Sequence, residues 1–255
     1  MTRRAQHTAA ALAAAVLACA ATPNLAAAGM LISPVVVEVD PDKTAAVVRI
    51  TNQSQEPTSI RVRALSWGHR DGRDIFEETA DVIVSPPMAT IAPGATQVLR
   101  VGERTRTGNV ERAFRVVIEQ VPADDSPQGV RMAMRLDLPM YSGRKGSAAP
   151  RLQWRGLVDR DGFVTIEAHN TGATHESVTE VSAPGAGVEP LTLAGSKGVV
   201  LPGGAKRWKL GRVEALMAAN EGAGPIRVSN PSRSLTILVR TAHGESRQTI
   251  ALETP

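Results

Sequence analysis

The stretch from Gly129 to Met140 constrains the fold most. Val130, Met132, Met134, Leu136, Leu138 and Met140 alternate with Arg131, Ala133, Arg135, Asp137 and Pro139. A period of two makes one face apolar and the other small or charged, as in a strand with one buried side. Just upstream, Arg112 to Val121 forms a second strand-like run closed by Pro122. Together they predict a long hairpin across a short polar connection, Ala123 to Gly129.

The rest of the chain keeps the same rhythm. Met30 to Asp40 is β-rich, and Pro34 interrupts it, which suits an edge strand or a switch between sheets. Ala45 to Thr51 is the next strand, and Ser59 to Trp67 sets Ile60, Val62 and Ala64 against Arg61 and Arg63. Asp71-Gly72 predicts a hairpin turn, and Ala92-Pro93-Gly94 another tight turn before the strand Thr96 to Val101. Strands at about 8- to 12-residue spacing with turn signals between them predict an all-β fold of sandwich type.

Ser142 to Pro150 is rich in Gly, Ser and Ala and predicts a linker. Strand patterning restarts at Arg151 to Val158 and Phe163 to Asn170 and runs on through Ile226 to Ser229 and Arg247 to Leu252. The expected division is a leader over 1–28, one β-sandwich over 29–143 and a smaller one over 144–255. Glu214 to Ala219 could form one or two helical turns, and no repeat between the two halves stands out.

The first residues have the form of an export signal. Arg3 and Arg4 precede the apolar run Ala9 to Ala21, and Leu25-Ala26-Ala27-Ala28 offers small residues for cleavage after Ala28. The apolar run is short and no second one follows, which argues against a membrane span. Val16-Leu17-Ala18-Cys19 weakly resembles a lipoprotein box, but Leu17 suits it poorly. Removing Arg3 and Arg4 from 29 basic residues leaves 27 against 25 acidic ones, a net charge of +2. That charge is spread out, which argues against nucleic acid as a partner. Cleavage also removes Cys19, the single cysteine, so the exported chain must be stable without a disulfide.

The pieces of the first half occur in a recognisable order. Ile50-Thr51-Asn52, Ser85-Pro86-Pro87 through Ile91-Ala92-Pro93-Gly94, Gln97 to Val101, and Glu111-Arg112-Ala113-Phe114 through Glu119-Gln120-Val121-Pro122 resemble the periplasmic pilus-assembly chaperones of the chaperone–usher pathway. The likeness is strong over the first sandwich and weak over the second. It implies two immunoglobulin-like β-sandwiches set at an angle and a periplasmic location. It implies pilin subunits and an outer-membrane usher as partners, no cofactor, and a strand lent to a pilin that lacks its own last strand; such strand donation is a known form of β-augmentation. Val130, Met132 and Met134 are then the side chains that enter the pilin groove, where flexible methionine suits several clients. Exposed plugs carry an aggregation risk that self-capping as a homodimer would relieve.

One feature departs from the family pattern. Its usual basic pair for the client's C-terminal carboxylate falls on Val36 and Asp137. The combination resembles the divergent, archaic-like branch. Arg100, Arg115 and Arg135 become the replacement candidates, because a guanidinium grips a carboxylate through two hydrogen bonds. Glu111 is expected to pair with a base at the domain junction, as the family's glutamate does, or to be a loop charge.

Plainer readings stand beside these. The Val130/Met132/Met134 stripe has the pattern of ordinary core, and each arginine taken alone suits a solvated surface. Trp67, Trp154 and Trp208 are expected in sandwich cores. His69, His169, His175 and His243 show no metal-ligand spacing, no Gly-x-Ser-x-Gly elbow occurs, and Asp71-Gly72 and Asp161-Gly162 lack the rest of a calcium loop. An enzyme is therefore not expected. The competing function class is an exported β-sandwich adhesin or structural pilus component.

Overall fold

The computed structural model describes residues 29–105, 109–122, 133–143, 149–184, 189–218 and 234–254. Strand pairing divides these into two groups. The first contains β1 (Met30–Ser33), β2 (Val37–Val39), β3 (Ala46–Asn52), β4 (Thr58–Arg70), β5 (Arg73–Glu78), β6 (Val82–Ser85), β7 (Met88–Ile91), β8 (Thr96–Glu103), β9 (Arg112–Val121) and β10 (Arg135–Ser142). One sheet has the order β1-β3-β8-β6, and the other β2-β10-β9-β4-β5 with β7 on β4. Pro34 stands between β1 and β2, where the chain leaves the first sheet and joins the second, alongside β10. The two sheets close on Val48, Ile50, Leu99 and Val101 from one side and Ile60, Val62, Phe114, Val116, Ile118, Leu138 and Met140 from the other.

The second group contains β11 (Leu152–Val158), β12 (Phe163–Asn170), β13 (Glu176–Ser182), β14 (Leu191–Thr192), β15 (Val199–Val200), β16 (Ala205–Arg212), β17 (Ser234–Thr241) and β18 (Gly244–Glu253). β18 pairs with β17 along its length and meets β11 in parallel at Leu252 and Glu253, linking the two layers. Val164, Ile166 and Ala168 pack against Val181, Leu235, Ile237 and Val239 between them. A six-residue helix, α1 (Val213–Ala218), follows β16 and buries Val213 and Leu216 in that core. The strand expected over Ile226 to Ser229 lies outside the described residues.

Each sandwich is pinned by one buried asparagine. Asn52 Nδ2 donates to the carbonyls of Glu56 at 2.7 Å and Ile91 at 2.9 Å, while its Oδ1 accepts from Ser54 N at 2.9 Å. Asn170 repeats the device, donating to Thr174 O and Val200 O and accepting from Arg151 N and Gly172 N. A fully satisfied amide of this kind ties a strand end to two loops without leaving a buried polar group unpaired. This is a structural repeat between the halves that the surrounding sequence does not advertise.

Candidate functional site

The β9–β10 hairpin is the first part of the site. It runs in register from Arg135 opposite Glu119 to Ser142 opposite Arg112. Its base is fixed by Glu103 on β8. One carboxylate oxygen accepts from Arg112 Nη1 at 2.6 Å, and the other from Ser142 Oγ at 2.6 Å. At the far end Gln120 N donates to Met134 O at 2.8 Å. Antiparallel strands bond their partner at alternate positions. The Gln120–Met134 bond sets the phase, so Leu136, Leu138 and Met140 bond β9. Arg135, Asp137 and Pro139 turn their main-chain groups to the opposite edge. Pro139, with no N–H to offer, therefore costs no hydrogen bond to β9.

That opposite edge is open over part of its length. β2 covers β10 only at Met140, Tyr141 and Ser142. From Arg135 to Pro139 no strand flanks it among the described residues. Met134 shares the face of Leu136, Leu138 and Met140 and is half-buried. It lines a cavity of about 420 Å³ at the end of the sandwich with Met30, Thr58, Gln120 and Ala133. Val130 and Met132 lie outside the described residues.

The junction between the sandwiches is the second part. Trp67 does not join the core of the first sandwich. It packs with Ala113, Tyr141, Val199 and Leu201 in a separate cluster that spans the two domains. The alternation of β4 explains the correction: Ile60, Val62 and Ala64 point inward, so Arg61, Arg63, Leu65 and Trp67 share the other face. Trp208 is in the core of the second sandwich, and Trp154 packs against it from a partly buried position.

Glu111 and His175 join the domains at this junction. Glu111 Oε1 accepts from His175 N at 2.9 Å and lies 2.6 Å from its Nδ1, and Glu111 N donates to Ala173 O at 2.9 Å. The His175 ring stacks on Tyr141 with centroids 3.7 Å apart. His69 and His243 likewise each face a carboxylate, of Asp74 and Glu176 respectively. Among the described residues no cluster of His, Cys, Asp and Glu forms a metal site.

The three candidate arginines are separated. Arg100 is exposed on β8, on the outer face of the opposite sheet. Arg135 is at the open edge, 3.4 Å from Glu119 and 3.2 Å from Asp137. Glu119 is shared with Arg63 at 3.2 Å, and the hydrogen bond from Arg63, with its charge, holds the Glu119 carboxyl below its ordinary range. Arg115, on β9, is only 6% exposed. Its guanidinium lies 3.9 Å from the ring of Trp67 and 5.4 Å from that of Phe76, and among the described residues it has no hydrogen-bond or ion-pair partner. Burial draws its pKa below the ordinary arginine value, though a guanidinium stays charged at neutral pH. Of the three, Arg115 alone is buried, and it alone stacks on an aromatic ring, with no carboxylate within ion-pair distance among the described residues.

Residues 29–142 match the family of pili and flagellar-assembly chaperones, PapD N-terminal domain. The first sandwich belongs to the PapD-like pilus-assembly chaperones. This is a chaperone family and not an enzyme class. No curated protein matches the sequence. Among solved structures, this PapD-like chain is similar to one in the CsuC–CsuE chaperone–tip adhesion subunit pre-assembly complex from archaic Csu pili of Acinetobacter baumannii. That match has 18% identity and a TM-score of 0.63 and covers 89% of this chain and 100% of the other. The Salmonella enterica SafA pilin–SafB chaperone complex gives 14% identity and a TM-score of 0.56, over 88% and 95%. The E. coli chaperone DraB gives 11% and 0.54, over 88% and 98%. Both domains of the PapD-like fold, a pair of immunoglobulin-like sandwiches at an angle, are thus present, and the low identities fit a divergent branch.

Proposed function

We propose that this chain is a periplasmic chaperone that binds pilin subunits by lending them a strand and passes them to an outer-membrane usher. The observation that carries the reading is the open edge of β10 from Arg135 to Pro139, continuous with half-buried Met134 and rooted by Glu103. An incomplete pilin has unpaired main-chain groups along an apolar groove. An extended edge satisfies the former, and alternate apolar side chains fill the latter. Val130, Met132 and Met134 are the plugs, and each valine or methionine buried contributes roughly 1.5 to 3 kcal/mol. Arg115 takes the client's terminal carboxylate, with Arg135 and Arg100 as the lesser candidates. The export signal read from the sequence supports a periplasmic location, and the neighbours that carry a tip adhesin or a pilin in their complexes favour the same class of client here.

The test is co-expression with a candidate pilin followed by hydrogen exchange of the purified pair. One-to-one co-purification with new protection at the amides of 129–137 is the expected result. A stable complex that leaves those amides as exposed as in the free chaperone refutes strand donation at this edge.

A further inference from the structure

Among the described residues Arg115 has no hydrogen-bonded acid, with Asp74 and Asp137 acting on it only through their charges, yet it is not adrift. Its guanidinium lies on the face of Trp67. The indole of Trp67 is in turn fixed at its rim, with Nε1 donating to Asp74 Oδ1 at 2.9 Å. The other oxygen of Asp74, Oδ2, accepts from Lys206 Nζ at 2.7 Å. Lys206 is on β16 of the second sandwich and is only 5% exposed. His69 Nε2 lies 3.1 Å from Asp74 Oδ1 on the side away from Lys206's oxygen.

We propose that Lys206 is a positioning residue for the client anchor, acting from the second domain through Asp74 and Trp67 on Arg115. This rests on the reading of Arg115 as the carboxylate anchor. A stacked guanidinium keeps its N–H edge free, so the ring sets the plane in which a carboxylate can be gripped by two bonds. An indole pinned at Nε1 cannot rotate about its side-chain bonds, and that pin is a carboxylate whose second oxygen is held from across the junction. The two sandwiches are pressed together at the same place. Arg207 N donates to Gly72 O at 3.3 Å, and a side chain on Gly204 would come within 2.5 Å of His69 Nδ1. The second domain, with little sequence likeness to the family, thereby has a stated part in client binding: it orients the grip without touching the client.

The experiment compares a synthetic peptide of a candidate pilin's C-terminal segment, as free acid and as amide, in binding to full-length variants. Wild type is expected to prefer the acid by about tenfold or more, the amount a charge-assisted hydrogen bond supplies. Lys206→Met is expected to remove most of that preference while binding of the amide is unchanged, and Lys206→Arg to restore it. A merely structural role moves acid and amide equally. Trp67→Phe, which keeps a ring and loses Nε1–H, guards against misfolding of Lys206→Met and is expected to lower the preference in the same way. The Arg115 Nε–H resonance, shifted by the indole ring current, is expected to move in each relay variant of the free protein. If Arg115→Ala retains the acid preference, the anchor reading itself fails. If Arg115→Ala loses it while Lys206→Met and Trp67→Phe keep it and leave the resonance in place, the relay is refuted.

Discussion

Arg115 and Trp67 lie on adjacent strands of one sheet with the guanidinium 3.9 Å from the indole ring, and neither belongs to the sandwich core. Their shared face looks into the junction, beside Tyr141 and its stacked partner His175. A cation in that position loses part of its hydration, and among the described residues no carboxylate is hydrogen-bonded to it, Asp74 and Asp137 acting only through their charges. The cost is offset in part by the aromatic face and, under the proposed anchoring, would be recovered on binding a carboxylate.

Arg115→Ala is therefore expected to weaken pilin capture by about ten- to a hundredfold, the equivalent of about 1.5 to 3 kcal/mol for a hydrogen bond to a charged group. Arg135→Ala releases Glu119 and Asp137 at an exposed edge and is expected to cost threefold or less, on the order of a surface ion pair. Arg100→Ala, on the opposite sheet, is expected to change nothing. Equilibrium binding of one pilin to the three variants reads all three outcomes, and normal capture by Arg115→Ala moves the anchor elsewhere.

Asp74 gives the junction an acid limit. Burial alone would raise its carboxyl, but donors from His69, Lys206 and Trp67 outweigh burial and hold it at about 2, against 3.8 ordinarily. A carboxyl depressed by folding stabilises the protein above its unfolded value and loses that contribution as pH falls through the folded one. The window is thus from about pH 4 down to about pH 2, and the contribution is on the order of 2 kcal/mol. Asp74→Asn is expected to melt lower at neutral pH and to lose less stability between pH 4 and pH 2 than wild type. Parallel acid-stability curves for the two proteins contradict this account.

Glu111 fastens the domains through the main chain as well as the imidazole of His175. Glu111→Ala leaves the His175 N–H without its acceptor, a loss of about 1 to 3 kcal/mol. Each kcal/mol corresponds to about 2 to 4 °C in melting temperature for a chain of this size. Calorimetry is expected to show a lower and broader transition, with scattering reporting a wider spread of domain angles. An unchanged melting curve makes Glu111 incidental to the junction.

The strands were legible because half-buried sheets alternate. β4 and β10 open on the period of two, whereas β9 is buried on both faces from Ala113 to Ile118 and reads there as an apolar run broken only by Arg115, and Asp71-Gly72 takes the left-handed angles, φ of 53° and 76°, that a two-residue hairpin turn demands. The same alternation already placed Trp67 with Arg61 and Arg63 on the non-core face, a signal overridden by the expectation that tryptophan packs inside. The junction was not legible, because its contacts carry no local pattern: Asp74 and Lys206 are 132 residues apart. The role of Glu103 was hidden for the same reason, since β8 reads as an ordinary strand and only the packing of one sheet on the other brings it to Arg112 and Ser142. Arg115 could be named from sequence as a basic residue, but what sets it apart from Arg135, burial on an aromatic ring with no acid within ion-pair distance among the described residues, is revealed only by three-dimensional contacts.

The most direct test of strand donation is a parity experiment on the donated segment. Under the proposed strand donation, Met132→Asp would put a charge on the face that enters the client, and Arg131→Asp the same charge on the other face, one residue away. Pilin capture in the periplasm and melting of the free chaperone are measured for both. The account predicts that both variants melt like wild type, that Arg131→Asp captures pilin, and that Met132→Asp loses capture so that the pilin is degraded or aggregates. Normal capture by Met132→Asp, or collapse of its own melting temperature, makes Met132 something other than a donated side chain and contradicts the account.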